Sequence, residues 1–184
     1  MNFNEHSSLA GQHAFLGPSK YHWVNYDTEK LAEVYTNAQA ARRGVELHDF
    51  AHQAIKLGIK LPKVSKTVNM YVNDAIGYRM ATEQILYYSP NCFGTADAIA
   101  FSNNLLRIHE LKTGLIPGSV HQPEIYAALF CLEYGFKPGA IDMELRLYQF
   151  DTIEIFEPDV DSIAHIISKI VSFDNVIELL NAEG

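Results

Sequence analysis

Residues 94–114, GTADAIAFSNNLLRIHELKTG, carry three charged side chains of opposite sign in what otherwise reads as two apolar strands. Asn103-Asn104 makes a two-residue hairpin turn, because Asn tolerates positive φ better than most residues. The turn pairs Ser102 with Leu105, and that register sets Asp97 directly opposite Glu110. Side chains alternate across a strand, so Glu110 and Lys112 share a face with Ile99, Phe101, Leu106 and Ile108. Two carboxylates facing each other beside apolar residues are costly, and burial raises the cost. A divalent cation removes it, and paired carboxylates with open positions suit Mg²⁺. Such an ion with a neighbouring lysine meets the needs of phosphodiester hydrolysis. The same residues would also form an exposed cross-strand cluster in which Lys112 neutralises one acid.

The chain around this hairpin reads as helices first. Asp27 caps a helix over TEKLAEVYTNAQAARR, and GVELHDFAHQAIKL follows or continues it to near Gly58. KLPKVSK is a loop and TVNMYVNDAIGYRM a further helix. Strands are expected around 81–88, 93–101 and 105–112, then a helix from Ser119 to Tyr134 closed by Gly135. That helix would be capped by Ser119 with Gln122, or by Gln122 with Pro123 following. IDMELRLYQF and TIEIF read as two more strands, and Asp159 opens a last helix striped with Ile163, Ile166, Ile167 and Ile170. The expected fold is α/β (α+β), a central mixed β-sheet flanked by helices. It forms one domain over 1–184, with a helical part at 27–80, a core at about 81–150 and an acidic part at 151–184.

Length and composition fit a globular domain with a full hydrophobic core. No apolar run approaches the ~20 residues that span a bilayer, and MNFNEHSSLAGQHAFLG lacks the features of a signal peptide. Cys92 and Cys131 are the two cysteines, too few for a four-cysteine metal or iron–sulfur site, and a reducing cytoplasm is expected. The net charge of −8 comes entirely from residues 140–184, which hold ten acids and two bases. Residues 42–79 hold seven bases against three acids, so a polyanion partner is compatible with the composition. Lys56, Lys60, Lys63 and Lys66, with His22, Trp23 and Tyr26, could hold a nucleic-acid strand by charge and stacking. A solvated loop and core aromatics account for the same residues.

Four motifs in order sharpen the reading. Gly44 and His48 form G-x-x-x-H, Asp97 follows a glycine by three residues, Glu110-Leu111-Lys112-Thr113-Gly114 is E-x-K-T-G, and Gln122 and Tyr126 form Q-x-x-x-Y. Over about residues 40–135 this resembles the PD-(D/E)XK nuclease superfamily, in particular its RecB-like branch. Ala96 stands where the superfamily name has Pro. The resemblance implies a restriction-endonuclease-like core and a Mg²⁺- or Mn²⁺-dependent DNA nuclease, more exonuclease than sequence-specific endonuclease, in recombination, repair or phage DNA metabolism. It implies Asp97 and Glu110 as metal ligands, Lys112 as the catalytic lysine and His48 as a further ligand. Gln122 and Tyr126 become supporting, DNA-holding residues, and a homo-oligomer is compatible with it. Glu83, on the preceding strand, could join the metal shell. Two other readings stand beside this one. His48-Asp49-x-x-His52 approaches the H-E-x-x-H of zinc peptidases, with Asp49 as a short general base. A non-catalytic DNA-binding relative is the third.

Overall fold

The computed structural model describes residues 5–114 and 116–183. By its internal packing the chain divides into two compact units, residues 1–43 and 44–184. In the first, the Phe15 and Tyr35 rings meet edge to face at 4.9 Å, and Trp23 Nε1 donates to the Gly17 carbonyl at 3.1 Å. Helix α1 (Thr28–Lys56) starts where Asp27 Oδ1 accepts the Lys30 amide at 2.7 Å, and it runs through GVELH without a break. The expected pair of segments is therefore one helix.

The second unit holds a five-stranded sheet in the order β1 (Ala81–Ser89), β2 (Cys92–Ser102), β3 (Leu105–Leu111), β4 (Asp142–Gln149), β5 (Thr152–Phe156). The first three strands form an antiparallel meander, β4 lies parallel to β3, and β5 returns antiparallel. The parallel step needs a crossover, and α3 (His121–Tyr134) supplies it. This is an α/β fold with a mixed central sheet and helices on both faces. Among the described residues, no helix is long and apolar enough to cross a membrane.

Each face of the sheet buries its own cluster. Leu86, Ala96, Ile99, Leu106, Ile108 and Leu145 pack against α3 and against Ile163 of α4 (Val160–Glu183), with Ile166, Ile167 and Ile170 at its margin. Ala98, Leu111 and Tyr148 pack on the other face against Ala51, Ala54 and Ile55 of α1 and Tyr71, Val72 and Ala75 of α2 (Thr67–Gly77). Ala96 and Ala98 are two apart yet lie on opposite faces, which regular strand alternation forbids. Between them is Asp97. Its neighbour across β1 is Glu83, in the left-handed region at φ +51°, and the paired residues run Thr82↔Ala98 and then Gln84↔Ala96. Both strands thus swap faces at one point without changing register.

Tight turns fix the remaining geometry. Asn103 and Asn104 adopt φ of +51° and +62°, and the β2–β3 pairs Ser102↔Leu105 through Ala98↔His109 follow the register expected from sequence. Phe150 and Asp151 repeat the device between β4 and β5, at φ +52° and +56°. The Asp151 carboxylate then caps α2 from outside that helix, accepting the Thr67 amide at 2.9 Å and pairing with Lys66 at 2.6 Å. Gly135, at φ +71°, closes α3 as expected. The start of α3 differs: Val120 occupies the N-cap position, no side chain caps it, and Ser119 and Gln122 form no capping box.

Beneath α2 lies a buried polar group. Tyr148 Oη donates to Asp74 Oδ2 at 2.8 Å, and Arg146 reaches Asp74 at 3.1 Å, Tyr78 Oη at 2.8 Å and Glu144 at 2.9 Å. His109 Nδ1 sits 3.2 Å from Tyr148 Oη in full burial, and burial with Arg146 and Arg107 pushes its pKa down to about 3. The turn between β2 and β3 is the cheapest element to test. Asn103→Val should cost about 1–2 kcal/mol, the penalty of a β-carbon in the left-handed region, whereas Asn103→Gly should match or exceed the native stability. Urea midpoints with unchanged m-values would measure both, and equal midpoints for Val and Gly would refute the turn.

Candidate metal centre

The β2–β3 ladder stops at Ala98↔His109, one pair short of Asp97 and Glu110. Strand β3 continues alongside β4 to Leu111↔Tyr148, and Lys112 N donates to the Tyr148 carbonyl at 2.9 Å. The ends of β2 and β3 therefore part, leaving the Leu111 amide without a partner strand. Asp97 Oδ2 accepts that amide at 2.8 Å. This corrects the expectation that Asp97 and Glu110 form a directly opposed ladder pair. The register is as expected, but the side chain of Asp97 completes it in place of backbone.

The other oxygen, Asp97 Oδ1, lies 3.4 Å from His48 Nδ1 on α1. One ligand atom each from His48, Glu83 and Asp97 fall within 4.8 Å of one another. The αL kink at Glu83 belongs to the face swap that brings β1 and β2 to this point, an outlier of the kind that accumulates at functional sites. Hydrogen bonding to Asp97 raises the His48 pKa against the opposing effect of burial. Burial, with Asp97 beside it, raises that of Glu83.

Glu110 is 2% exposed. Its Oε1 accepts from Lys112 Nζ at 2.8 Å, while Oε2 is buried without a hydrogen-bond partner. Burial and the neighbouring Asp97 push the Glu110 pKa up to about 7, against the pull of Lys112. A buried carboxylate oxygen with no donor costs free energy unless something occupies it. Lys112 Nζ also donates to Gln122 Oε1 at 2.6 Å, and Gln122 Nε2 donates to Tyr126 Oη at 3.2 Å. Glu110, Lys112, Gln122 and Tyr126 thus form one hydrogen-bonded chain; Asp97 bonds to the Leu111 amide and groups with His48 and Glu83, a compact set that does not include Glu110.

Close approaches hold it together. A β-carbon at Gly94 would lie 2.9 Å from the Tyr126 ring, and one at Gly44 would lie 2.8 Å from Thr113 Oγ1. Gly44 therefore lets α1 come down on the residue after Lys112, which sets His48, one turn further on, beside Asp97. Glycine in a helix and glycine before the acid were the visible signals; the contacts they permit were not.

Other expected residues lie elsewhere. His52 Nδ1 sits 2.7 Å from Thr82 Oγ1, and among the described residues the compact ligand group does not include it. The two histidines of H-D-x-x-H thus face different partners. Lys66 is exposed and pairs with Asp151 at 2.6 Å. Lys56, Lys60 and Lys63 are exposed and, among the described residues, form no ion pair. The His22 ring lies tilted against Tyr21, centroids 4.5 Å apart, within the first unit. Comparison with protein-family models, curated proteins and solved structures returns no match.

The orphaned carboxylate makes a stability prediction. A carboxyl whose folded pKa is raised binds its proton more tightly when folded, so its ionisation lowers stability as pH climbs from the ordinary carboxylate range to about 7. Glu110→Gln removes that loss. Under chelating conditions its melting temperature should exceed the native protein's at pH 8, by about 2–4 °C for each kcal/mol recovered. The difference should shrink toward zero below pH 4.5, and a variant less stable at pH 8 would contradict the electrostatic account.

Proposed function

We propose that this protein is a divalent-metal-dependent DNA nuclease, an exonuclease in preference to a sequence-specific endonuclease. The observation that carries the reading is the buried, unpartnered Oε2 of Glu110, next to Asp97 and held on its other oxygen by Lys112. Hard oxygen donors with one imidazole are the set for Mg²⁺ or Mn²⁺. Asp97 and Glu110 would hold the ion, with His48 and Glu83 completing its shell. Bound there, the ion would lower the pKa of a water and stabilise charge on the phosphoryl oxygens.

The chain's own residues account for the rest of hydrolysis, in which a water oxygen attacks phosphorus and the P–O bond to the leaving strand breaks. Lys112 Nζ donates to Glu110 and Gln122, and a lysine ammonium has a third N–H to offer a water or a phosphoryl oxygen. Gln122 and Tyr126 stand one turn apart on α3, where the phenol hydroxyl can donate to the phosphodiester backbone. Lys56, Lys60 and Lys63 supply unpaired positive charge for a DNA strand. The resemblance of the four motifs to the RecB-like PD-(D/E)XK branch supports the same assignment, including a cytoplasmic role in DNA recombination, repair or phage replication. A zinc peptidase draws less support, because His52 is turned to Thr82.

The test is cleavage of end-labelled linear and closed circular DNA, single- and double-stranded, with Mg²⁺, Mn²⁺ or EDTA. Cleavage should require the metal and fall roughly 10²–10⁴-fold in Lys112→Ala, and restriction to linear DNA selects exonuclease. Activity untouched by EDTA, or retained in full by Lys112→Ala, would falsify the proposal. In the same preparations, His48→Ala should weaken Mn²⁺ binding by about 10–100-fold, measured by calorimetry, while His52→Ala leaves it unchanged. Stoichiometric zinc that disappears in His52→Ala would favour the peptidase.

A further inference from the structure

Residues 113–120 connect Lys112 to the helix that carries Gln122, and the described ones among them, 113, 114 and 116–120, form neither helix nor strand. Such a segment needs hydrogen bonds from elsewhere to stay in place. Gln149, the last residue of β4, supplies three. Its Nε2 donates to the Gly114 carbonyl at 2.8 Å and to the Ile116 carbonyl at 2.8 Å, and its Oε1 accepts the Gly118 amide at 2.7 Å. Both amide protons and the carbonyl are thereby used, in a side chain 6% exposed.

Gln149 is itself anchored at its backbone. It pairs with Thr152, whose hydroxyl donates to the Gln149 carbonyl at 2.7 Å, and the intervening turn is tied to α2 through Asp151. The residue before it, Tyr148, accepts the Lys112 amide. The segment it clamps touches the lysine directly: a β-carbon on Gly118 would lie 2.9 Å from Lys112 Cγ, and 3.1 Å from Leu147 Cδ2. The bare face of Gly118 is thus a wall against the aliphatic stem of Lys112, whose tip is fixed by Glu110 and Gln122.

We propose that Gln149 is a positioning residue for Lys112, acting through the segment 114–118 and the close contact of Gly118 with the lysine stem. Lysine carries a flexible four-carbon chain, and an ammonium fixed only at its tip would exchange partners. Clamping the stem from one side and the tip from the other leaves a single placement. The role in catalysis rests on the nuclease reading; the placement of the lysine does not.

Two arms separate these claims. Gln149→Met keeps the volume and removes all three hydrogen bonds; Gly118→Ala pushes on the stem directly and serves if the first variant does not fold. In the first arm, an amine-reactive ester is applied in limiting amount and each lysine is followed by peptide mass spectrometry, with Lys60 and Lys63 as internal controls. Lys112 should label several-fold faster in either variant, and the controls at the native rate. Native labelling of Lys112 in Gln149→Met would overturn the proposal, whatever the activity. In the second arm, kcat for metal-dependent DNA cleavage should fall roughly 10–100-fold, as expected for a misplacement of about 1 Å. KM should stay unchanged, because the exposed lysines proposed to hold DNA are untouched. The double variant Gln149→Met/Lys112→Ala should be no slower than Lys112→Ala alone; additive losses would show that Gln149 acts other than through the lysine. Faster labelling in a protein that cleaves no DNA would uphold the placement and remove the nuclease reading.

Discussion

The hydrogen bond from the Leu111 amide to the Asp97 carboxylate is the joint on which the site turns. Two antiparallel strands that part must leave backbone groups unpaired, and buried unpaired amides are costly. Asp97 satisfies the first such amide with a side chain, so β2 and β3 separate at a defined residue. Beyond that residue β3 stays with β4 alone, which carries Glu110 and Lys112 into the open end of the sheet. The face swap at Glu83 and Asp97 serves the same end from the other side, since it puts both acids within reach of α1. Were Asp97 an ordinary ladder residue, its carboxylate would belong to one face and His48 to the other.

Much of this could be read from the residues. Asn103-Asn104 fixed the hairpin register because a two-residue turn leaves no freedom in the pairing, and the Ser102↔Leu105 to Ala98↔His109 pairs follow from it. Among the described residues the four α-helices lie where helical segments were expected, and the Ile163 stripe named the face of α4 that packs. What stayed hidden were long-range effects with no local signature. Beyond the point where β2 and β3 part, β3 is held by β4 on its other edge, a strand more than 30 residues away in the chain. Ala98 looked no different from Ala96, and nothing in an alanine says which face it will take. Gln149 belonged to an ordinary strand end; its three partners are over 30 residues distant in sequence. Gln122 could be read as a cap because Pro123 suits the first helical position; its side chain instead accepts from Lys112.

The two sides of the sheet solve the problem of buried polarity differently. Under α2, Asp74, Arg146, Tyr148, Tyr78 and Glu144 satisfy one another almost completely, the arrangement that makes a buried polar group tolerable. Under α3, the chain stops one donor short at Glu110. Each side leaves one buried polar atom without a partner among the described residues, His109 Nε2 under α2 and Glu110 Oε2 at the other face.

His109 and Glu110 are consecutive residues on opposite faces of β3, one held well below and the other well above its ordinary pKa. Burial disfavours the charged form of each, lowering His109 and raising Glu110. A cation that takes the free oxygen of Glu110 must first displace a proton, because the ligand is the carboxylate and not the acid. Ion uptake near neutrality would therefore acidify its surroundings, by up to one proton per chain. Proton and cation would compete for the same oxygen of Glu110.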